Sequence, residues 1–176
     1  ETDYLLRLGG HAGGRMPEGG ATALPEQLRH LLESLPGPAF LLAADWSIVA
    51  WNAAYARLYS RISSLGEAER NLLWLVFTDP ALRELMPDWQ AQSRRFAGEF
   101  RAAVGPAIGT AGMSDLVARL SEASADFARV WAERDVETFS SRERVFDHPT
   151  DGRVAYEEHK LVPLDAPGHQ LVLYLA

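Results

Sequence analysis

The chain has 176 residues, of which 47% are hydrophobic and 23% charged, and it contains no cysteine. This composition is typical of a folded domain with its own core, and the lack of cysteine excludes disulfides and thiol nucleophiles. No apolar run in the sequence approaches the roughly 20 residues that span a bilayer. The formal net charge of −7 and isoelectric point of about 5.2 disfavour direct binding to nucleic acid or anionic membranes, because an acidic surface repels phosphates.

The N-terminal stretch divides into a helix end and a glycine-rich linker. Residues 1–8 place three apolar side chains at helical spacing, whereas residues 9–23 contain six glycines, which leave the backbone free to adopt many conformations. We therefore expect residues 1–8 to be the residual helix of an upstream domain and residues 9–23 to be a linker. Residues 24–176 have the pattern of one folded domain.

The first elements of that domain are a helix, a hairpin and a second helix. Residues 25–35 carry a leucine stripe at helical spacing. The apolar runs 39–43 and 47–51 predict two strands joined by a tight turn. Asn52 is the predicted N-cap of the next helix, which extends to about residue 60.

Residues 72–77 are six large apolar residues in one unbroken run. Such a run cannot form an amphipathic surface helix, so it must be covered on several sides or line something apolar. We expect a helix that is buried on more than one side. Trp74 or Phe77 is expected to face a cavity between helices and sheet.

Capping and helix-breaking residues divide the surrounding region. Ser64 and Glu67 have capping-box spacing and predict that the helix containing this run begins at about residue 65. Asp79 and Pro80 begin another helix, whose apolar stripe continues to about residue 104. Pro87 is expected to break or kink it.

The last third of the chain changes from helical to alternating periodicity. Residues 105–112 predict a loop, and Ser114 is the predicted N-cap of one long helix. Alternating patterns then predict strands over 138–148, 152–164 and 169–176. This order gives an α+β fold, PAS-like, with about five antiparallel strands and helices packed on one face.

Aromatic side chains concentrate in the middle elements and have two interpretations. They can form an ordinary core, or they can wall an apolar pocket with a few polar anchors. Arg70 and Arg101 are candidate anchors because arginine holds carboxylates bidentately, although surface salt bridges would also explain them. The candidate ligand-binding residues are Trp51, Tyr55, Asn71, Trp74, Phe77, Trp89, Phe96, Phe100, Arg101, Phe127 and Trp131.

Sequence motifs for catalysis, metal binding and phosphate binding are missing. The five histidines show no HxH or HExxH spacing, no GxSxG occurs, and the glycine-rich linker lacks the Walker pattern. Glu157 and Glu158 fall on opposite faces of a predicted strand, which argues against joint acid–base work. We therefore expect no enzyme, no metal site and no cofactor beyond a possible bound apolar molecule.

Several motifs occur together in consistent order over about residues 36–176. They are WNAAYARLY (51–59), ERNLLWLVFTDPALRELMPDW (69–89), FAGEFRAAVG (96–105), DLVARLSEASADFARVWAERDV (115–136), VFDHPTDGRVAYEEHKL (145–161) and the final GHQLVLYLA. This series resembles the ligand-binding domain of MmyB-like transcriptional regulators of bacteria. ETDYLLRLGG also resembles the last helix of the helix-turn-helix domain that precedes this module.

The resemblance implies a cytoplasmic sensor domain that binds a small apolar ligand, such as a fatty acid. It implies that DNA is contacted only through the helix-turn-helix domain, which this chain lacks. We expect a homodimer and no membrane partner. Two alternatives remain open, namely a dimerisation module with a filled core and a small α+β enzyme with a perturbed polar group in its pocket.

Overall fold

A computed structural model describes residues 24–105, 110–134, 136 and 139–176. The strands are β1 (Ala39–Leu42), β2 (Ile48–Trp51), β3 (Arg142–His148), β4 (Gly152–Leu161) and β5 (Gln170–Leu175). They form one antiparallel sheet in the order β2-β1-β5-β4-β3. The predicted α+β fold with a five-stranded antiparallel sheet is confirmed. The predicted helix over 1–8 and linker over 9–23 lie outside the described residues.

Seven α-helices occur in the described part of the chain, one before β1 and six between β2 and β3. They are α1 (Glu26–Ser34), α2 (Ala53–Leu58), α3 (Leu72–Thr78), α4 (Pro80–Leu85), α5 (Trp89–Val104), α6 (Ala111–Ala123) and α7 (Ala125–Ala132). Two short 3₁₀ helices, Ser60–Ser64 and Glu67–Glu69, connect α2 to α3.

The central strands β1 and β5 are apolar on both faces, so the sheet is covered on both sides. On the inner face, side chains of β1 and β5 form the main core with helices α2 to α7. These strand residues are Phe40, Leu42, Val172 and Tyr174. The alternate set packs against α1 and comprises Ala39, Leu41, Leu171 and Leu173. Helix α1 is therefore an exception to the expected single helical face, because its leucines cover the outer face of the sheet.

The predicted caps at Asn52 and Asp79 and the break at Pro87 are confirmed. The Asn52 Oδ1 atom accepts from the Tyr55 N–H at 2.9 Å, and the Asp79 Oδ1 atom accepts from the Ala81 N–H at 2.8 Å. Helix α4 ends at Leu85 and α5 begins at Trp89, with Pro87 between them. These local signals fix how the helical layer is divided.

Two predicted helix starts are wrong. Helix α3 begins at Leu72 rather than near 65, because the Asn71 Oδ1 atom caps it by accepting from the Trp74 N–H at 3.1 Å. Ser114 lies inside α6 and is not an N-cap. The predicted long helix is two helices, because Ser124 ends α6 and caps α7 through the Phe127 N–H at 3.2 Å.

Candidate functional site

A small cavity lies between helices α2 to α5 and the inner face of the sheet. Its lining residues are Tyr55, Leu58, Tyr59, Leu72, Val76, Leu82, Leu85, Met86, Gln92, Phe96, Arg144, Phe146 and Tyr174. The centre of a water-sized sphere can move through about 20 Å³ of this space. That is room for about one water molecule, so the interior is tightly packed.

The apolar run 72–77 forms most of α3 and is buried on more than one side, as expected. Five of its six side chains are fully buried, and Trp74 is half-buried. Leu72 and Val76 are the residues of this run that line the cavity. The expectation that Trp74 or Phe77 faces the cavity is therefore corrected, because both point to other neighbours.

The polar side of the cavity is provided by Arg144 on β3, which the sequence did not single out. Arg144 is 2% exposed, and its Nε atom donates to the Glu158 Oε2 atom at 2.5 Å. Its Nη1 atom donates to the Gln92 Oε1 atom at 3.4 Å. The guanidinium carbon lies 4.5 Å from the centre of the Phe96 ring.

One nitrogen of Arg144, Nη2, has no hydrogen-bond partner among the described residues. A buried donor without an acceptor is costly, and the great majority of buried polar groups are paired. Arg144 is the sole charged side chain among the lining residues that the structure describes. An oxygen of a bound ligand, above all a carboxylate oxygen, would be stabilised at this nitrogen.

Burial and charge together set the ionisation of these groups. Burial is the largest influence on the pKa of Arg144 and lowers it, but the charge and hydrogen bond of Glu158 together with Tyr174 and Glu99 outweigh burial, so the pKa is raised overall and the guanidinium stays charged. Burial raises the pKa of the Tyr55 phenol, and burial first and then Glu158 raise the pKa of Tyr174. The cavity therefore combines one fixed cation with neutral and apolar walls.

A second buried ion cluster holds the sheet against α5. Glu99 accepts from the Lys160 Nζ atom at 2.6 Å, and its other carboxylate oxygen lies 2.9 Å from the Arg142 Nη2 atom. The Glu99 side chain is 2% exposed. Since Arg142 and Arg144 share one face of β3, this cluster fixes the strand that carries Arg144 relative to α5.

Some of the candidate site residues line the cavity and others pack beside it. Tyr55 and Phe96 are lining residues. Adjacent to them is an aromatic cluster with ring centres 5.1 to 6.2 Å apart, made of Phe77, Trp89, Phe100, Phe127 and Trp131. Arg101 lies over the end of this cluster, 4.1 Å from the centre of the Trp131 ring.

The remaining candidates lie outside the cavity lining. Trp51 and Trp74 are half-buried, and each has an arginine over its ring, Arg70 and Arg119 respectively. Asn71 uses both ends of its amide within the fold, because its Nδ2 atom also donates to the Asp45 carbonyl at 2.7 Å. A ligand-binding role for these three residues and for the aromatic cluster stays a prediction.

The described ranges contain no group of three or more His, Asp or Glu side chains placed to hold a metal ion. None of the helices described above is both long and apolar enough to cross a membrane.

The family model described as MmyB-like transcription regulator ligand binding domain matches residues 24–176. This match includes every helix and strand described above. Among curated proteins, none matches the chain.

Proposed function

The chain belongs to the family of MmyB-like transcription regulator ligand-binding domains, and from this we propose that it senses an amphiphilic molecule with an apolar body and a carboxylate, such as a fatty acid. The observation that carries the proposal is the buried Nη2 atom of Arg144, which lacks a hydrogen-bond partner among the described residues and belongs to the one charged residue in the described lining of a mostly apolar cavity. A carboxylate would supply the missing acceptor, and the apolar walls would cover the adjoining hydrocarbon.

The strength of such a contact supports a carboxylate over a neutral head group. Hydrogen bonds to charged groups contribute about 1.5–3 kcal/mol, compared with about 1 kcal/mol for neutral ones. A carboxylate at Arg144 would also be shielded from water, and the attraction between two buried charges is screened only weakly. An alcohol of equal chain length would gain the same burial but only the weaker hydrogen bond.

The narrow cavity implies that ligand binding changes the packing of the domain. About 20 Å³ does not accommodate an acyl chain, so the ligand must bind a more open arrangement of the helical layer. A ligand shifts such an equilibrium only through its differential affinity for the two states. In this proposal the linker at residues 9–23 would pass the shift to the DNA-binding domain of a cytoplasmic, homodimeric regulator.

The experiment compares dodecanoate with dodecanol on the 176-residue chain. We expect dodecanoate to raise the thermal unfolding midpoint more than dodecanol does. Arg144→Met should abolish the difference between the two compounds. Arg101→Met is the matched control, because Arg101 is a partly buried arginine that contacts Trp131 outside the cavity lining, and this variant should keep the preference.

Two outcomes would contradict the proposal. One is that neither compound shifts the midpoint, and that native mass spectrometry after gentle purification finds no bound small molecule. The other is that the preference for the acid survives in Arg144→Met. In the second case a carboxylate would bind elsewhere.

The tight packing of the interior also favours a second candidate, a dimerisation module with a solid core. Helix α1 would supply the contact, because its Leu31 is 47% exposed beside the buried Leu28 and Leu32. Sedimentation showing a dimer, together with no binding of either compound, would support this candidate. An enzyme is less consistent with the cavity, because the pKa values of Tyr55 and Tyr174 are raised away from neutral pH.

A further inference from the structure

A surface cleft of about 500 Å³ opens beside α2, between the Pro36-Gly37-Pro38 segment and the turn that joins β3 to β4. Its walls include Ala54 of α2 and Val154 of β4. This volume falls within the range of about 300–1,000 Å³ that is usual for small-molecule sites. The internal cavity of about 20 Å³ is far below that range.

The cleft and the cavity share two lining residues, Leu58 and Tyr174. Leu58 is the last residue of α2, and it is 7% exposed. Tyr174 lies near the end of β5 and packs against the rings of Phe40 and Phe146 at 6.2 and 5.5 Å. Leu58 has the less constrained position, so a change in its rotamer would connect the two spaces most easily.

Hydrogen bonds through His148 link the two walls of the cleft and fix their separation. The His148 Nδ1 atom accepts from the Asp151 N–H at 3.1 Å, so the proton must be on Nε2, which donates to the Arg57 carbonyl at 3.0 Å. His148 thereby joins the turn between β3 and β4 to helix α2. The cleft is therefore a preformed feature of the fold.

Resting on the proposed function, we propose that the cavity and the cleft form one site for an elongated carboxylic acid. The carboxylate binds Arg144 in the cavity, and the acyl chain passes between Leu58 and Tyr174 into the cleft. The cavity has the cation without the volume, and the cleft has the volume. Each space therefore supplies what the other lacks.

The opposite orientation is less favourable. It would place the carboxylate at the cleft mouth near Arg57, with the acyl chain inside the cavity. The Arg57 side chain is 77% exposed, so water screens its charge and a carboxylate gains little there. The acyl chain would also have to fill a space that holds about one water molecule, and the Nη2 atom of Arg144 would face hydrocarbon.

The first test places a bulky side chain in the cleft and, as a control, the same side chain at the adjacent position outside it. Ala54 lines the cleft but not the cavity, whereas the exposed Ala53 before it belongs to neither lining. We expect Ala54→Trp to weaken dodecanoate binding at least tenfold in isothermal titration calorimetry, and Ala53→Trp to change it less than twofold. Urea unfolding of both variants checks that they are equally folded.

The second test uses the wild-type chain, so it does not depend on any variant folding. The probe is ω-dansylaminoundecanoate, which carries a bulky fluorophore at the end opposite to the carboxylate. We expect it to bind within tenfold of dodecanoate, to be displaced by dodecanoate, and to show emission from a partly hydrated site. A chain end buried in the cavity would exclude the fluorophore.

The outcomes separate this inference from the proposed function. If dodecanoate binds the wild type and Ala54→Trp equally, or if the dansyl probe fails to bind where dodecanoate does, the shared site is refuted and the ligand-sensing function stands. If dodecanoate does not bind the wild type at all, the proposed function fails and this inference fails with it.

Discussion

Replacing Glu158 with glutamine tests how the buried charge of Arg144 is held. The side chains of Glu158 and Arg144 are 1% and 2% exposed, respectively. Glutamine keeps the shape of Glu158 but removes its charge. Leaving one partner of a buried ion pair uncompensated costs about 3–5 kcal/mol. The glutamine carbonyl can still accept from Arg144, so we expect a loss of about 3 kcal/mol.

That loss is large beside the total stability of a domain, which is about 5–15 kcal/mol. At an m value of about 2 kcal/mol per molar, it lowers the urea midpoint by about 1.5 M with the m value unchanged. The control is the double variant Arg144→Met/Glu158→Met, which replaces the pair with apolar side chains. It should be more stable than Glu158→Gln, because no unpaired charge remains.

The same variant reports on ligand binding. In Glu158→Gln the carboxylate of dodecanoate would become the counter-ion of Arg144, so its affinity should rise about tenfold, equivalent to about 1.4 kcal/mol. Dodecanol should bind the variant and the wild type equally. A loss below 1 kcal/mol in Glu158→Gln, or a double variant less stable than this single one, would refute the assignment of Glu158 as the group that holds the Arg144 charge.

Three further predictions concern stability. Asn52→Ala removes four hydrogen bonds and Asn71→Ala removes two, so their losses should be about 4 and 2 kcal/mol in urea unfolding at about 1 kcal/mol per bond. Gly37→Ala should lower the thermal midpoint strongly, because the added Cβ would collide with the backbone carbonyl oxygen of Tyr174. Gly112→Ala is the control, since a Cβ at that position meets nothing within 4 Å. Burial raises the pKa of Tyr55 and Tyr174 above the unfolded value of 10. The stability that these two tyrosines contribute is therefore full below pH 10 and falls above it as unfolded chains ionise, by up to about 1.4 kcal/mol per pH unit for each. Tyrosinate absorbance and far-ultraviolet circular dichroism should therefore change together for these two residues.

Each of these predictions has a contrary result. Equal losses for the two asparagine variants would contradict the count of hydrogen bonds around Asn52. A Gly37→Ala variant as stable as Gly112→Ala would contradict the close approach of that segment to β5. Complete ionisation of all tyrosines while the fold persists would contradict the burial of Tyr55 and Tyr174.

Much of the fold could be predicted from local signals, because those signals act over a few residues. The cap at Asn52 and the break at Pro87 depend only on side chains and backbone nearby. The position of α1 was less accessible, since an amphipathic helix does not specify which face of a sheet it covers. A signal was nevertheless present, because the four consecutive apolar residues of β1 require a cover on both faces.

The polar part of the site could not be predicted, because it depends on the register between strands. Arg144 shares a face of β3 with Phe146, which alternation alone would indicate. Its contact with Glu158 exists because Arg142 is opposite Glu158 in the antiparallel pair, so the two charges meet diagonally. Helical spacing likewise predicted that the aromatic residues are buried, but not that five of them would pack on each other beside the cavity.

The magnitudes favour an elongated ligand over a small acid. Moving a two-state equilibrium from 1:99 to 99:1 takes about 5.5 kcal/mol of differential affinity. A carboxylate at Arg144 contributes about 1.5–3 kcal/mol for a hydrogen bond, which is not enough. Each buried methylene adds about 0.8 kcal/mol, so about five methylenes that are buried only in the open arrangement, along the passage between Leu58 and Tyr174, would supply the remainder. Since the Tyr174 N–H donates to the Pro38 carbonyl at 2.9 Å, an acyl chain that passes beside Tyr174 would lie next to the segment that joins α1 to the sheet.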